Sequence, residues 1–187
     1  MPEPSVSLME LLARFRVALG WVFAPLVLIL ANPSKESIVV GAVVGLIGEC
    51  IRIWAAGHLH KSREVTSSGP YRLFAHPLYV GSSVMGAGLA IAAANPIAAA
   101  LIVIYLAVTL RAAIKSEEAY LRRTFGAEYE LYRRWDRSKN GVGTATATRR
   151  FSLARAIANR EYRALAGLAG ALLLLAMKQR IMGRFGG

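Results

Sequence analysis

Long apolar runs alternate with short polar turns and basic segments along this chain. Pro33 follows Asn32 and Pro96 follows Asn95, so each pair marks a tight turn between two apolar runs. A membrane-spanning helix needs about 20 mainly apolar residues, and the runs are close to that length. The pattern predicts two helical hairpins made of four membrane spans, over residues 15–31, 37–59, 78–94 and 97–114.

The segments between and after these spans are polar, charged or short. A polar loop over 58–77 joins the hairpins, and a highly charged helix is predicted over 111–136. The small residues of GVGTATAT, at 141–148, predict a linker. The apolar run at 164–177 has only 14 residues, which leaves two alternatives. It is either a fifth span extended by Tyr162 and flanking residues, or a helix that lies in the membrane interface.

Composition and charge place the chain in a membrane. The sequence is 55% hydrophobic with a mean hydropathy of +0.42, which is more apolar than a soluble domain of this length. Of its 23 basic residues, 13 lie between Arg111 and Arg163. They are not interleaved with aromatic residues on a polar surface, so we expect no nucleic acid as a partner. The positive-inside rule places the N-terminus, the loop and the charged helix in the cytoplasm.

The cysteine and two of the histidines carry little chemistry. Cys50 is the only cysteine, which excludes a disulfide within the chain, and its apolar surroundings predict a small buried residue. His58 and His60 stand two residues apart without further ligands at metal-binding spacing, so we expect no metal site and an interfacial position for both.

Two ionisable residues interrupt the second predicted span. Glu49 and Arg52 are three residues apart, which places them on one helical face where they can form an ion pair. Ionisable groups inside a membrane often mark functional sites. A pair that only fixes helix packing is an equally strong interpretation.

The stretch GPYRLFAHPLYVGSSVMGAG, at 69–88, places a histidine and two tyrosines at the start of the third span. Pro77 begins the helix, because its missing N–H costs nothing there, and His76 precedes it. Free backbone N–H groups at a helix N-terminus attract a carboxylate or phosphate. The glycines at 81, 86 and 88 permit either close helix packing or close approach of a ligand, and His76 favours the ligand. A carboxylate at Glu117 or Glu118 could bind a cationic or hydroxyl-bearing ligand at the membrane boundary, but spacing alone favours a solvated helix face that pairs with nearby basic residues.

Three features together resemble a family of membrane methyltransferases. They are REVTSSGPYRLFAHPLYVG at 63–81, a hairpin that turns at residues 95–96, and EEAYLRRTFGAEYELY at 117–132. This order resembles the isoprenylcysteine carboxyl methyltransferase and phospholipid N-methyltransferase family of integral membrane methyltransferases. Both halves of the pattern stand at the right separation, and the resemblance covers roughly residues 45–140.

The resemblance implies that S-adenosylmethionine is the methyl donor and that a lipophilic small molecule in the bilayer is the acceptor. It assigns no acid–base residue, because methyl transfer needs mainly alignment and exclusion of water. Glu49, Arg52 and Arg111 are our candidates for substrate binding. By position, the cofactor-binding residues are Arg63, Glu64, Val65, Thr66, Tyr71, His76, Pro77, Leu78, Tyr79 and Glu117.

Two positions depart from the family pattern. Ala75 stands where the family has an arginine before the histidine. Ala113 stands where the prenylcysteine-specific enzymes carry an arginine for the substrate carboxylate. We therefore expect an acceptor other than prenylcysteine. Two alternatives remain: an NADPH-dependent membrane reductase of the sterol-reductase type, and a non-catalytic membrane protein that retains the fold.

The sequence thus predicts an all-α fold: a polytopic transmembrane helical bundle of four to five spans with a cytoplasmic cofactor-binding region. We expect it in a prokaryotic plasma membrane, with its N-terminus in the cytoplasm. The predicted parts of this single domain, residues 1–187, are a first hairpin at 15–59, a catalytic core at 60–140, and a linker with a C-terminal amphipathic or membrane helix at 141–187.

Overall fold

The computed structural model describes residues 8–60, 66, 68–138 and 150–185. This part of the chain contains helices and connecting turns and no strand, which confirms the all-α membrane bundle. A short 3-10 turn, Gly69–Arg72, lies in the loop between the hairpins. The six α-helices in the described residues are α1 (Leu8–Leu30), α2 (Lys35–Ala56), α3 (Pro77–Ala93), α4 (Pro96–Ser138), α5 (Leu153–Ala158) and α6 (Tyr162–Phe185).

The turns lie where the prolines predict them, but the predicted first hairpin is wrong as a packing unit, because α1 packs mainly against α4 and α2 packs mainly against α3. The Asn95 side chain caps α4, because its Oδ1 accepts hydrogen bonds from the Ile97 and Ala98 backbone N–H groups at 3.0 Å. The Asn32 N–H donates to the Ala93 carbonyl at 2.8 Å, which ties the turn of one hairpin to the end of α3. The two turns therefore lie side by side at one end of the bundle.

Helices α2 and α3 form the tightest interface of the bundle, and glycines make it possible. A Cβ atom added to Gly48 would lie 2.7 Å from the Gly81 carbonyl oxygen. One added to Gly88 would lie 2.5 Å from the Gly41 carbonyl oxygen. Such close backbone approach is typical of small residues at membrane helix interfaces. The expectation of a ligand against Gly81 and Gly88 is therefore wrong, because α2 covers them.

Helix α4 differs from its sequence prediction. The fourth span and the first part of the charged segment form one continuous helix up to Gly126, where the backbone is non-helical, with φ +45° and ψ −112°, and a second helical part follows to Ser138. The part over Pro96–Ala127 is long and apolar enough to cross a membrane, as are Lys35–Ala56 and Tyr162–Arg184. The remaining spans are shorter apolar helices, at Ala18–Leu30 and Pro77–Ala93.

Helix α6 is fastened at both ends. Near its start, Glu161 accepts a hydrogen bond from Arg52 at 2.7 Å. Near its other end, the Lys178 Nζ donates to the carbonyls of Leu28, Ile29 and Ala31 at 2.6–2.8 Å. The helix thus runs from one end of the bundle to the other. This course supports the fifth-span alternative for the apolar run at 164–177.

The expectation of a buried Cys50 is wrong. Cys50 is exposed, on a helix that also exposes Val43, Leu46 and Ile47. Such an apolar outer surface suits contact with lipid, so an apolar neighbourhood does not imply burial here. His58 is buried directly after the end of α2, and its Nδ1 lies 3.0 Å from the Trp54 carbonyl oxygen, while the interfacial position of His58 and His60 stays a prediction.

Candidate functional site

A cavity of about 1410 Å³ lies between α1, α3, α4 and α6. Its polar end is formed by the loop before α3, the first turn of α3 and the middle of α4. Its other end is apolar and is lined by side chains such as Phe23, Leu106 and Leu175. The candidate cofactor residues that line the polar end are Thr66, Tyr71, His76, Leu78, Tyr79 and Glu117.

Helices α3 and α4 contact each other at this polar end through two pairs of side chains. The Tyr79 hydroxyl donates a hydrogen bond to Glu117 Oε2 at 2.7 Å. The His76 Nε2 lies 3.4 Å from Glu118 Oε1. The interpretation of Glu117 and Glu118 as a solvated pair is therefore wrong, because both carboxylates turn toward α3. His76 precedes Pro77, which begins the helix as predicted and is fully buried.

The 3-10 turn positions Tyr71 beside this cluster. Gly69 adopts φ +56°, and a Cβ atom at this position would lie 2.7 Å from three atoms of the His58 ring. Only glycine fits both the left-handed backbone and the close ring. The turn therefore packs directly on buried His58, and it brings Tyr71, itself buried, to the cavity wall.

The bend at Gly126 adds a residue that our sequence analysis left out of the site. After the bend, Tyr129 is 2% exposed, packs against Leu121 and Phe125, and lines the cavity. Burial, and then the negative charge of Glu118, raise its pKa to about 12, so the phenol is neutral at physiological pH. Tyr129 lies within EEAYLRRTFGAEYELY at 117–132, the stretch that we quoted for the resemblance, so the sequence contained this signal.

Arg52 forms the second polar cluster of the cavity. Its Nη2 donates to Glu161 Oε2 at 2.7 Å, and its Nε lies 3.7 Å from Glu49 Oε2, as the predicted ion pair requires. Its Nη1 donates to the Ser82 hydroxyl and to the Leu78 carbonyl. Arg52 and Glu161 line the cavity, and Glu49 is buried behind them. Our sequence analysis did not select Glu161, because it lies 109 positions from its partner.

The remaining candidates lie elsewhere. Arg111 is exposed and lines a separate groove of about 800 Å³ on the outer side of α3 and α4. Ala113, two residues later, is buried and lines the cavity. The candidates Arg63, Glu64 and Val65 lie outside the described residues.

Comparison with known proteins finds relatives over the middle of the chain. Residues 36–128 match the family model described as phospholipid methyltransferase. Proteins named probable protein-S-isoprenylcysteine O-methyltransferase, from Oryza sativa subsp. indica and subsp. japonica, are 32% identical over 105 residues. These alignments cover 50% of this chain and 55% of each rice protein.

A bacterial protein with a different name is also similar. The nickel-cobalt-cadmium resistance protein NccN of Alcaligenes xylosoxydans xylosoxydans is 34% identical over 97 residues, which cover 49% of this chain and 45% of NccN. The chain thus spans about half the length of the curated relatives it matches. No solved structure gives a significant match.

Proposed function

Because residues 36–128 form a domain of the phospholipid methyltransferase family, we propose that this chain is an S-adenosylmethionine-dependent methyltransferase acting on a lipophilic acceptor in the membrane. One observation carries the proposal: a cavity joins a polar end, lined by six of the ten residues that the family pattern assigns to the cofactor, to an apolar end within the bundle. A polar donor and an apolar acceptor can therefore meet in it.

The side chains at the polar end fit the chemistry of S-adenosylmethionine. Glu117 can accept hydrogen bonds from the ribose diol, and the Tyr79 hydroxyl holds its carboxylate in place. Tyr71 and Tyr79 offer aromatic faces to the adenine. The N-terminus of α3, after His76, suits the carboxylate of the amino-acid part. When bound, the cofactor supplies a methyl group on a sulfonium, which needs no activation by the protein.

The cavity is large enough for two molecules. Pockets for drug-sized ligands usually have volumes of about 300–1,000 Å³, and this one has about 1410 Å³. Its apolar wall, formed by α1, α4 and α6, suits a hydrocarbon chain. The contribution of the protein to the reaction is therefore to bind both molecules, align the acceptor atom with the methyl group and exclude water.

We also propose that the polar end of the cavity faces the cytoplasm. The loop before α3 and the segment after the fourth span carry most of the basic residues, and the turns at Asn32 and Asn95 carry almost no charge, although the end of α6 brings Lys178, Arg180 and Arg184 to the same end of the bundle as these turns. The positive-inside rule then places the two turns on the opposite side of the membrane.

Calorimetric titration of S-adenosylmethionine into the detergent-purified chain tests the proposal. We expect the cofactor to bind, and Glu117→Gln to weaken binding roughly 10- to 100-fold, because a hydrogen bond to a charged group is worth about 1.5–3 kcal/mol. His76→Ala should also weaken it. Glu36→Gln is the matched control, since Glu36 is exposed at the opposite end of α2 and should bind like the parent.

Titration of NADPH in the same samples separates the alternatives. Binding of NADPH without S-adenosylmethionine would replace the methyltransferase with a reductase. If folded protein bound neither molecule, as checked by circular dichroism, the chain would be a non-catalytic member of the fold.

A further inference from the structure

The outer groove between α3 and α4 lies on the other side of these helices from the cavity. It has a volume of about 800 Å³. Its wall is mainly apolar and includes the exposed side chains of Ala87, Val103 and Ala107. The described residues that line the groove include no carboxylate, whereas those that line the cavity include three. The groove therefore differs from the cavity in both position and charge.

The length of the groove matches the depth of one membrane leaflet. Along α4 the groove extends from Val103 to Ile114, and a rise of 1.5 Å per residue makes this about 16 Å. The hydrocarbon core of a bilayer is about 30 Å thick, so one leaflet contributes about 15 Å. An acyl chain of one leaflet therefore suits the groove in length and in polarity.

Arg111 places a cation at one end of this groove. It is exposed, and it forms no hydrogen bond or ion pair with another described residue. It lies about 22 Å along the helix from Pro96, where α4 begins. From this depth a long basic side chain can extend to the lipid headgroups. A guanidinium also binds phosphate through two parallel hydrogen bonds, so a lipid phosphate is a suitable partner.

A second exposed cation follows Arg111 on the same face of α4. Lys115 lies four residues later, one helical turn further along, and it also has no partner among the described residues. The carboxylate of Glu118 is turned toward His76 and lines the cavity instead of the groove. The groove therefore ends at two cations, which favours a lipid with net negative charge over a zwitterionic one.

The groove and the cavity share the contact between α3 and α4. His76, Tyr79, Gly86 and Leu106 line both spaces. A chain in the groove therefore packs against the outer side of residues whose inner side belongs to the cavity.

We propose that this groove binds one anionic phospholipid. An acyl chain lies along α3 and α4, Arg111 holds the phosphate, and Lys115 lies at the level of the headgroup. This lipid is outside the cavity and is not the methyl acceptor, so the proposal does not depend on methyltransferase activity.

Native mass spectrometry of the detergent-purified full chain tests the site. Dioleoyl phosphatidylglycerol and dioleoyl phosphatidylcholine, which have the same acyl chains, are titrated separately, and the dissociation constant of the first bound lipid is measured. The parent is compared with Arg111→Gln, with Arg111→Lys, which keeps the charge, and with Ala107→Phe. Ala107 lines the groove and not the cavity, so phenylalanine there fills the groove without changing the charge.

Arg123→Gln is the matched control. Arg123 is another exposed arginine of α4, but it does not line the groove, and its Nε donates to the Ala119 carbonyl of its own helix at 3.3 Å. Circular dichroism and the thermal unfolding midpoint without added lipid confirm that each variant is folded.

We expect the parent to bind phosphatidylglycerol roughly 5- to 30-fold more tightly than phosphatidylcholine, as one or two cations near the headgroup provide. Arg111→Gln should weaken the binding of phosphatidylglycerol about 5-fold, and Arg111→Lys should weaken it less. Ala107→Phe should weaken it as well, because the acyl chain loses its space. Arg123→Gln should bind like the parent.

Three results would overturn the site. The first is equal binding of the two lipids to the parent, and the second is equal binding of phosphatidylglycerol to the parent and Arg111→Gln. The third is an equal loss in Arg123→Gln, because any basic residue of the surface would then attract the lipid. If folded Ala107→Phe binds like the parent, Arg111 attracts headgroups but the groove holds no chain, and the proposed site is wrong.

Discussion

Replacing Gly88 by alanine tests the glycine interface between α2 and α3. The added Cβ atom would lie 2.5 Å from the Gly41 carbonyl oxygen and 2.5 Å from the Gly45 nitrogen. These are backbone atoms, so no side chain can rotate away. Carbon contacts are favourable at about 3.5–4.0 Å, so the two helices must separate by about 1 Å.

The cost of this separation should exceed the gain in helix propensity. Overpacking usually costs about 1–3 kcal/mol, and Gly→Ala in a helix gains roughly 0.5–1 kcal/mol. We expect a lower unfolding midpoint, by several degrees, since 1 kcal/mol corresponds to about 2–4 °C at this chain length. The affinity for ligands of the cavity should also fall. Arg52 on α2 and His76 on α3 both line the cavity, so separating the two helices moves these side chains apart.

Thermal unfolding in detergent, with Gly167→Ala as the matched control, measures the effect. A Cβ atom at Gly167, in α6, would meet nothing within 4 Å. The same substitution there should leave the midpoint equal or slightly higher. If Gly88→Ala is as stable as the parent, or if both variants lose the same stability, the close approach of α2 and α3 is not what requires glycine.

Three further predictions concern the ends and the bend of the bundle. Lys178→Met removes three hydrogen bonds to the end of α1 and should lower the unfolding free energy by about 1–3 kcal/mol; an unchanged midpoint would contradict the fastening of α6. Gly126→Ala should cost roughly 1–2 kcal/mol, because the left-handed backbone disfavours a Cβ atom, and a stability gain, as expected in a straight helix, would count against the bend. Tyr129 lies beyond the membrane-spanning part of α4, with its pKa raised to about 12. Since unfolded tyrosine ionises near pH 10, its contribution is complete below pH 10 and is lost between pH 10 and 12. The stability difference between parent and Tyr129→Phe should therefore shrink over that range, and a constant difference would refute the shift.

The positions of the helices and turns were predictable, because they depend on the polarity and the prolines of each short segment. Apolar runs separated by proline turns locate the connections between consecutive helices but not their packing partners, because α1 packs mainly against α4 and α2 packs mainly against α3. The continuity of α4 was not predictable from polarity. A change from apolar to charged side chains moves a helix from lipid into water but breaks no backbone hydrogen bond, so α4 continues through the first charged residues up to the bend at Gly126.

Burial was harder to predict than helix positions. In water, the apolar face of a helix is the buried face, but in a membrane the outward face is apolar as well. Cys50 is therefore exposed although its neighbours are apolar. The glycines of α2 and α3 illustrate the same limit, because a thin helical face looks identical in sequence whether a ligand or another helix covers it.

The polar end of the candidate site was predictable only in part. His76, Tyr79 and Glu117 were selected because a known motif groups them, and the structure brings their side chains together. Glu161 belongs to no such motif. Its position in the cavity depends on how α6 packs against α2. This is a long-range tertiary contact, which a local sequence pattern does not predict.

The contact between Arg52 and Glu161 also has a consequence for biosynthesis. Ribosomes add about 5–20 residues per second, and the two partners are 109 positions apart. Arg52 and Glu49 therefore exist for roughly 5–20 s before Glu161 is made. During that interval the nascent bundle holds a guanidinium with an open side, which lipid headgroups, water or the insertion machinery must accommodate until α6 arrives.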